Sequence, residues 1–406
     1  MNEVRRIDDV KVLDISAGGG LSPETAFQND ARPRPAQSAR AKKVALVQTQ
    51  AENAGAQEVA RQLAAGFAAK GWETRQIFFY RRTESFDADE TAFYCAAARP
   101  NTPLGVLKML HALYAEFRRE SFDVVVTLQH YGNVIGAPVA RLAGVRNIVA
   151  NQLSPPEAIR PPVRLADQIL GMLGFYDHIV VNSGGTEAMY ASYPAAYGRR
   201  LTRIDHGFFD KSASMEKSAA RTTLGLPQGV ELLGCAARLH PIKQVGLAIE
   251  ILPRLPQTHL ALAGQGEERA RLEALARELG VAERTHFLGE LDTRRMGAFL
   301  AAIDCFVFPS STETFGLAPV EAAQAGVPTV VNDIDILREV LAVDGQPCAL
   351  FVDARDAAAF AATVRRFLDD PALSAQLTAR GRRLTERYPL DKMVDEYLAL
   401  MAPAPP

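Results

Sequence analysis

Short runs of uninterrupted apolar residues alternate along this chain with longer stretches in which apolar residues recur every three to four positions. Val44-Ala-Leu-Val47 is one such run; after a polar loop, Gln57 to Lys70 carries apolar residues at helical spacing until Gly71 stops it. The same unit recurs at Val124-Val-Val-Thr127, Asn147-Ile-Val-Ala150 and His178-Ile-Val-Val-Asn182, with helices predicted at Leu104 to Glu120 and Arg164 to Leu173. Strands that are apolar on both faces and separated by helices predict a parallel sheet covered on both sides. After Asp205-His-Gly-Phe-Phe the chain turns polar and irregular through Lys217, and the rhythm restarts at Leu232-Leu-Gly-Cys-Ala-Ala237. Further strands are predicted at His259 to Ala263, Thr285 to Leu288, Cys305 to Phe308, Thr329 to Val331 and Ala349 to Val352. The pattern predicts an α/β protein with two doubly wound, Rossmann-like domains, 43–207 and 208–387. Before them lies a segment, 1–42, without sustained period, expected to be loosely held; after them comes a helix and tail, 388–406.

Length agrees with two domains, because 406 residues exceed what one apolar core usually organises. Such sheets bind ligands beyond the carboxyl ends of their strands, so the chemistry is sought in those loops and in the cleft between domains. Charge narrows the partners: Lys and Arg total 45 against 47 for Asp and Glu, and a net −2 gives no global field for nucleic acid. Cys95, Cys235, Cys305 and Cys348 lie far apart, which excludes a disulfide framework or zinc spacing and suits a reducing compartment. No run reaches the roughly 18 to 20 apolar residues of a membrane span, and Met1 to Asp30 lacks a signal-peptide core, so a cytoplasmic location is expected.

One loop stands out. Pro309-Ser-Ser-Thr-Glu313-Thr314-Phe315-Gly316-Leu317-Ala-Pro-Val-Glu321 follows a buried strand and leads into a helix predicted to begin near Gly316. Glu313 in the loop and Glu321 in the helix could grip different parts of an elongated ligand, with a diphosphate on the amides at the helix start. The bland alternative is a first-turn acid and an ordinary solvated one. Arg238 and Lys243 occupy a second strand-to-helix junction, and Gly264 and Gly266 a third, where glycine lets backbone approach a ligand. The longer Gly-x-Gly-x-x-Gly pattern of a nicotinamide site is absent there. His130 follows the strand Val124 to Thr127, and Gly55 lies in the first strand-to-helix loop.

These motifs together resemble glycosyltransferase family 4, the glycosyl transferases group 1, whose signature is a pair of glutamates eight positions apart. The likeness is dense from Leu232 to Glu339 and sparse but ordered from Lys43 to Gly207. It implies the GT-B fold: two Rossmann-like domains facing across a cleft, with the closing helix Tyr388 to Leu398 crossing back to the first. It also implies a retaining hexosyltransferase that needs neither metal nor other cofactor and uses a UDP-sugar or GDP-sugar. In the implied roles His130, Arg238, Lys243 and Glu313 are catalytic; Gly55, Gly264, Gly266, Thr314, Phe315, Gly316, Leu317 and Glu321 bind the nucleotide-sugar.

Two departures from the family pattern unsettle the acceptor side. Gly55 stands where many relatives have a glycine pair, and Asp205-His206-Gly207 replaces Pro-Asn-Gly at the domain junction, where a hinge is expected. The acceptor is left as a saccharide, a lipid-linked saccharide or a small molecule. A nucleotide-sugar epimerase of the same fold and a degenerate nucleotide-sugar-binding scaffold stay open as alternatives. Asp87-Ala-Asp89 and Asp333-Ile-Asp335 resemble the metal-binding triplets of the other glycosyltransferase fold, but triplets so short arise by chance. Val106 to Arg119 is amphipathic with cations at its end, which suits a core helix or, as in relatives acting on lipid-linked acceptors, peripheral contact with the inner membrane face.

Overall fold

The computed structural model describes residues 40–209 and 215–402; the loosely held segment expected at the N-terminus, up to residue 39, and the end of the C-terminal tail lie outside them. The described residues from Ala41 onward hold together as one unit. Its first sheet contains β1 (Lys43–Ala51), β2 (Glu73–Arg81), β3 (Ala92–Tyr94), β4 (Val124–Leu128), β5 (Asn147–Gln152), β6 (His178–Val181) and β7 (Leu201–Arg203). They pair in parallel in the order β3-β2-β1-β4-β5-β6-β7. The second sheet, also parallel, runs β10 (Thr285–Gly289), β9 (Thr258–Ala263), β8 (Glu231–Ala236), β11 (Cys305–Phe308), β12 (Thr329–Asn332), then β15 (Leu350–Val352). A two-stranded hairpin of β13 (Ala342–Val343) and β14 (Gln346–Pro347) stands apart.

Strand alternation divides each sheet between two cores. Val44 and Leu46 of β1 face Phe67 and Tyr397, whereas Ala45 and Val47 face Leu113, Phe117 and Tyr197. In the second sheet Leu232 packs with Phe299 and Phe306, and Leu233 with Val307 and Phe360. Each sheet also reverses strand order once, between β1 and β4 and between β8 and β11, which opens a crevice at their carboxyl ends. This is the GT-B architecture.

The helices that matter for the site are α1 (Gly55–Ala69), α2 (Pro103–Glu120), α3 (Pro161–Met172), α4 (Gly184–Tyr190), α5 (Leu317–Gln324) and α6 (Leu390–Leu400). The closing helix α6 leaves the second half of the chain and buries Met393, Val394 and Tyr397 against the first. A Cβ on Gly66 of α1 would sit 2.2 Å from Val394 Cγ2, so only glycine admits this approach. Tyr397 also donates to Asn151 Oδ1 and packs edge-on to Phe67. Helix α2 starts on the side chain of Thr102, which accepts from Gly105 N at 3.1 Å, and buries Met109, Leu113 and Phe117. Its other face leaves Leu104 and Leu107 exposed.

Three strands of the first sheet, β2, β3 and β7, went unread in the sequence. β2 opens with Glu73-Thr-Arg-Gln before its apolar run, and β3 and β7 have three residues each, too few to show a period. All four cysteines are free, and burial pushes the Cys235 thiol up to about 12, which leaves it unreactive. Among the described residues no helix is long and apolar enough to cross a membrane.

Candidate functional site

A cavity of about 610 Å³ lies between the two sheets at their carboxyl ends. From the second half of the chain it receives Arg238, Lys243, Gly264, Gly266, Glu313 to Leu317 and Glu321; from the first, Gly55 and its neighbours.

The cassette after β11 is locked from several sides. Ser311 donates through its amide and its hydroxyl to Ile242 O at 3.1 and 2.9 Å, and Asn332 donates to Ser310 O at 3.1 Å. The Thr314 carbonyl accepts from Ser183 Oγ at 2.7 Å and Thr186 Oγ1 at 2.9 Å, both from the first sheet's side. Gly316 (φ +86°) turns the chain into α5; a side chain there would be strained and would meet Leu337 at 2.7 Å. No side chain caps α5, and Pro319 has no amide to offer. Its first amides and the positive end of its dipole are therefore directed at whatever occupies the cavity.

Glu313, 9 % exposed, accepts a hydrogen bond from Lys243 Nζ at 2.5 Å, and the ammonium lies 5.8 Å from the Phe308 ring. Glu321, on the next turns, is equally buried at 8 %. Arg238 is exposed at the cavity and enters no ion pair among the described residues. Its loop is fixed by backbone bonds, Ala237 N to Ala263 O at 3.0 Å and Leu239 N to Gln265 O at 2.9 Å. The two glycines beside it explain that closeness: a Cβ on Gly264 would lie 1.9 Å from Ala237 O, and one on Gly266 2.1 Å from Leu239 O. Their small size first serves the seating of the Arg238 loop.

Three of the sequence candidates need finer placement. Phe315 is 2 % exposed and its ring packs on His206, Phe208 and Tyr388, so its side chain belongs to the core under the cavity floor. Gly55 opens α1, which also lacks a side-chain cap, and a Cβ there would touch Leu317 Cδ1 at 3.2 Å across the cleft. His130 does not line the cavity; its neighbour Gln129 does, in a left-handed conformation (φ +68°). The His130 ring lies against Tyr131, its Nδ1 is buried without a hydrogen-bond partner, and burial lowers its pKa.

The structure adds residues that sequence reasoning did not select. Arg61 and Arg82 line the cavity, the latter paired with Glu52 at 2.8 Å. Arg82 directly follows β2, so reading that strand would have drawn attention to it. Glu290, from the loop after β10, accepts from Asn53 N at 2.6 Å and Ser85 Oγ at 2.8 Å, clasping one half of the chain to the other. His206, noted in the sequence only as a departure at the junction, is 4 % exposed and also lines the cavity. Asn182 Nδ2 lies 3.0 Å from its Nε2; an amide nitrogen only donates, so that ring nitrogen accepts. Burial pushes the imidazole down to about 4, so it is neutral at physiological pH.

Neither acidic triplet reaches the cavity. Asp87 pairs with Arg81, Asp89 accepts from Gln76 at 2.8 Å, and Asp333 pairs with Arg338 at 2.6 Å. Among the described residues no group of three His, Cys, Asp or Glu is placed to hold a metal ion.

Residues 216–384 match the family model described as Glycosyl transferases group 1. Glycogen synthase of Mycobacterium tuberculosis is 43 % identical over 153 residues, 36 % of this chain and 36 % of that protein. Lipopolysaccharide core biosynthesis glycosyltransferase LpsE of Rhizobium meliloti is 34 % identical over 186 residues, 46 % of this chain and 54 % of that protein. The matching stretches thus span from about a third to about half of these relatives. Among solved structures, sucrose-phosphate synthase from Thermosynechococcus elongatus superposes with a TM-score of 0.74 at 22 % identity, covering 88 % of this chain and 98 % of that one. HepE from Anabaena in complex with UDP-glucose gives 0.75 at 19 % identity over 88 % and 99 %. At such identities the superpositions establish the fold.

Proposed function

With residues 216–384 standing as a glycosyl transferases group 1 domain, we propose that this chain is a metal-independent, retaining glycosyltransferase. It takes a hexose-type sugar from a nucleoside diphosphate donor and passes it to an acceptor held on the first domain. One observation carries the reading: the uncapped start of α5 opens on the same cavity as Arg238 and the Lys243–Glu313 pair. A helix start, a guanidinium and an ammonium form a diphosphate site, because each places positive charge where a departing nucleotide gathers negative charge. These cations supply what a divalent ion supplies elsewhere, so activity in chelator is part of the proposal.

Glu313 and Glu321 provide buried carboxylates for sugar hydroxyls, with Glu313 held in place by Lys243. In the reaction the bond between the anomeric carbon and the phosphate oxygen breaks, the acceptor oxygen bonds to that carbon from the same face, and its proton passes to the departing phosphate. Lys243 and Arg238 stabilise the leaving group. His130, next to Gln129 in the chain, is assigned to the acceptor side in this scheme. Association with the inner membrane face through the exposed Leu104 and Leu107 of α2 completes the proposal; co-sedimentation with anionic liposomes tests it.

Thermal shift against UDP, GDP, ADP and TDP tests the central claim, since a ligand that binds only the native state raises its melting temperature. UDP is tried first because HepE is seen with UDP-glucose. No response to any of the four would overturn the reading. NMR of the product's anomeric proton tests retention.

A further inference from the structure

A second hollow, of about 380 Å³, opens in the first domain between α3 and the end of α4. One loop serves both cavities: Leu153 and Ser154 line the main one, Pro156 and Glu157 the second. Arg164 and Gln168 lie four residues apart on α3 and so share a face, while Ser192 and Tyr193 follow α4.

Tyr193 is only 8 % exposed, yet its hydroxyl makes no well-formed hydrogen bond, with the Gln168 side chain beside it as a weak partner. The three tyrosines around it are all satisfied: Tyr176 and Tyr197 donate to Asp167 at 3.1 and 2.7 Å, and Tyr190 to Gln152 Oε1 at 3.0 Å. A buried hydroxyl left poorly matched is costly, so the exception calls for a ligand. Burial raises the Tyr193 phenol to about 12, which keeps it a proton donor. Arg164 lines the same hollow and enters no ion pair among the described residues, unlike Arg141, which pairs with Asp177 at 2.6 Å.

A free guanidinium beside a poorly matched phenol suits an anion. Glu157, exposed at the rim, opposes a bare dianion but accepts hydrogen bonds from hydroxyl groups. Gln168 and Ser192 add neutral donors and acceptors. The lining therefore selects a sugar or polyol that carries a carboxylate or phosphate. We propose that this hollow is an acceptor subsite, binding the charged group of an anionic sugar at Arg164 and Tyr193. Its role as an acceptor subsite rests on the glycosyltransferase reading above, and the shared loop ties it to the transfer cavity.

Calorimetric titration of the full chain with glucuronate, glucose 6-phosphate, inorganic phosphate and glucose, with and without UDP, decides the matter. The charged sugars are expected to bind, the tighter one identifying the anion, with phosphate weaker and glucose weakest. Arg164→Gln should weaken that binding about tenfold or more and Tyr193→Phe, which keeps the ring, several-fold, while UDP affinity stays unchanged in both. The subsite is refuted if charged sugars bind no better than glucose, if phosphate alone binds as well, if both variants bind like the parent, or if UDP displaces the sugars. Should UDP fail to bind while Arg164-dependent sugar binding persists, the donor reading falls and the acceptor role with it, and the anionic-sugar site stands.

Discussion

The two walls of the main cavity are built differently. On the second domain the charged groups sit on loops pinned by backbone bonds, by glycines that no other residue could replace, and by one another, as Lys243 and Glu313 are. On the first domain the wall includes a strained Gln129 and arginines already engaged with Glu52 or Glu58, and the His130 imidazole next to Gln129 in the chain keeps an unmatched nitrogen outside the lining. On the proposed reading, the difference teaches that one wall is fixed in advance for the donor, while the other is left to the acceptor.

That contrast can be broken most sharply at Lys243. Lys243→Ala should slow turnover by about 2–4 kcal/mol in barrier with little change in fold, read as kcat in a transfer assay with the responding nucleotide-sugar. Parent-like rates would show that the pinned wall is not electrostatic machinery. A second stroke falls on the boundary between the walls. His206 titrates near 6.5 when unfolded and about 4 when folded, so its contribution is complete above 6.5 and is lost as pH falls through that window. Denaturant melts should show stability declining by at most about 3 kcal/mol between those values, and His206→Gln should flatten the decline.

Glu290→Gln should have a smaller effect, because it retains size while weakening the acceptor for Asn53 N and Ser85 Oγ. Donor KM is expected to rise several-fold, on the order of 1 kcal/mol, with kcat nearly preserved. An unchanged KM would mean that the clasp plays no part in gripping substrate. The smallest expected effect is none: Asp87→Asn and Asp333→Asn, assayed in chelator, should match the parent, since both acids serve exposed ion pairs. Loss of activity in chelator alone would return a metal to the mechanism.

The same contrast governs what the sequence made legible. The strands of the second sheet announced themselves because each is an apolar run bounded by turn residues, and the cassette after Phe308 could be placed on a loop and helix start from that alone. β2 escaped because half of it is polar, and with it went Arg82. Glu290, Asn182 and His206 escaped for another reason: only the facing of the two sheets brings them to one cavity, and no local spacing records that. Gly264 and Gly266 show a subtler limit. Glycine signalled a close approach without saying of what, and the carbonyls of Ala237 and Leu239 come near on the protein side.

Gly207 and Phe208 lie directly against Tyr388, Pro389 and Leu390, with Phe208 N donating to Tyr388 O at 3.1 Å, and a Cβ on Gly207 would come 2.6 Å from Leu390 Cα. Both passages of the described chain between its halves therefore share one narrow pivot. On the proposed reading such an attachment would let the halves swing like the boards of a book about a common spine, with every inter-strand bond of either sheet kept. The force that shuts the book must then come from the outer margin, where Glu290 reaches Asn53 and where a ligand spanning both boards would pull them together.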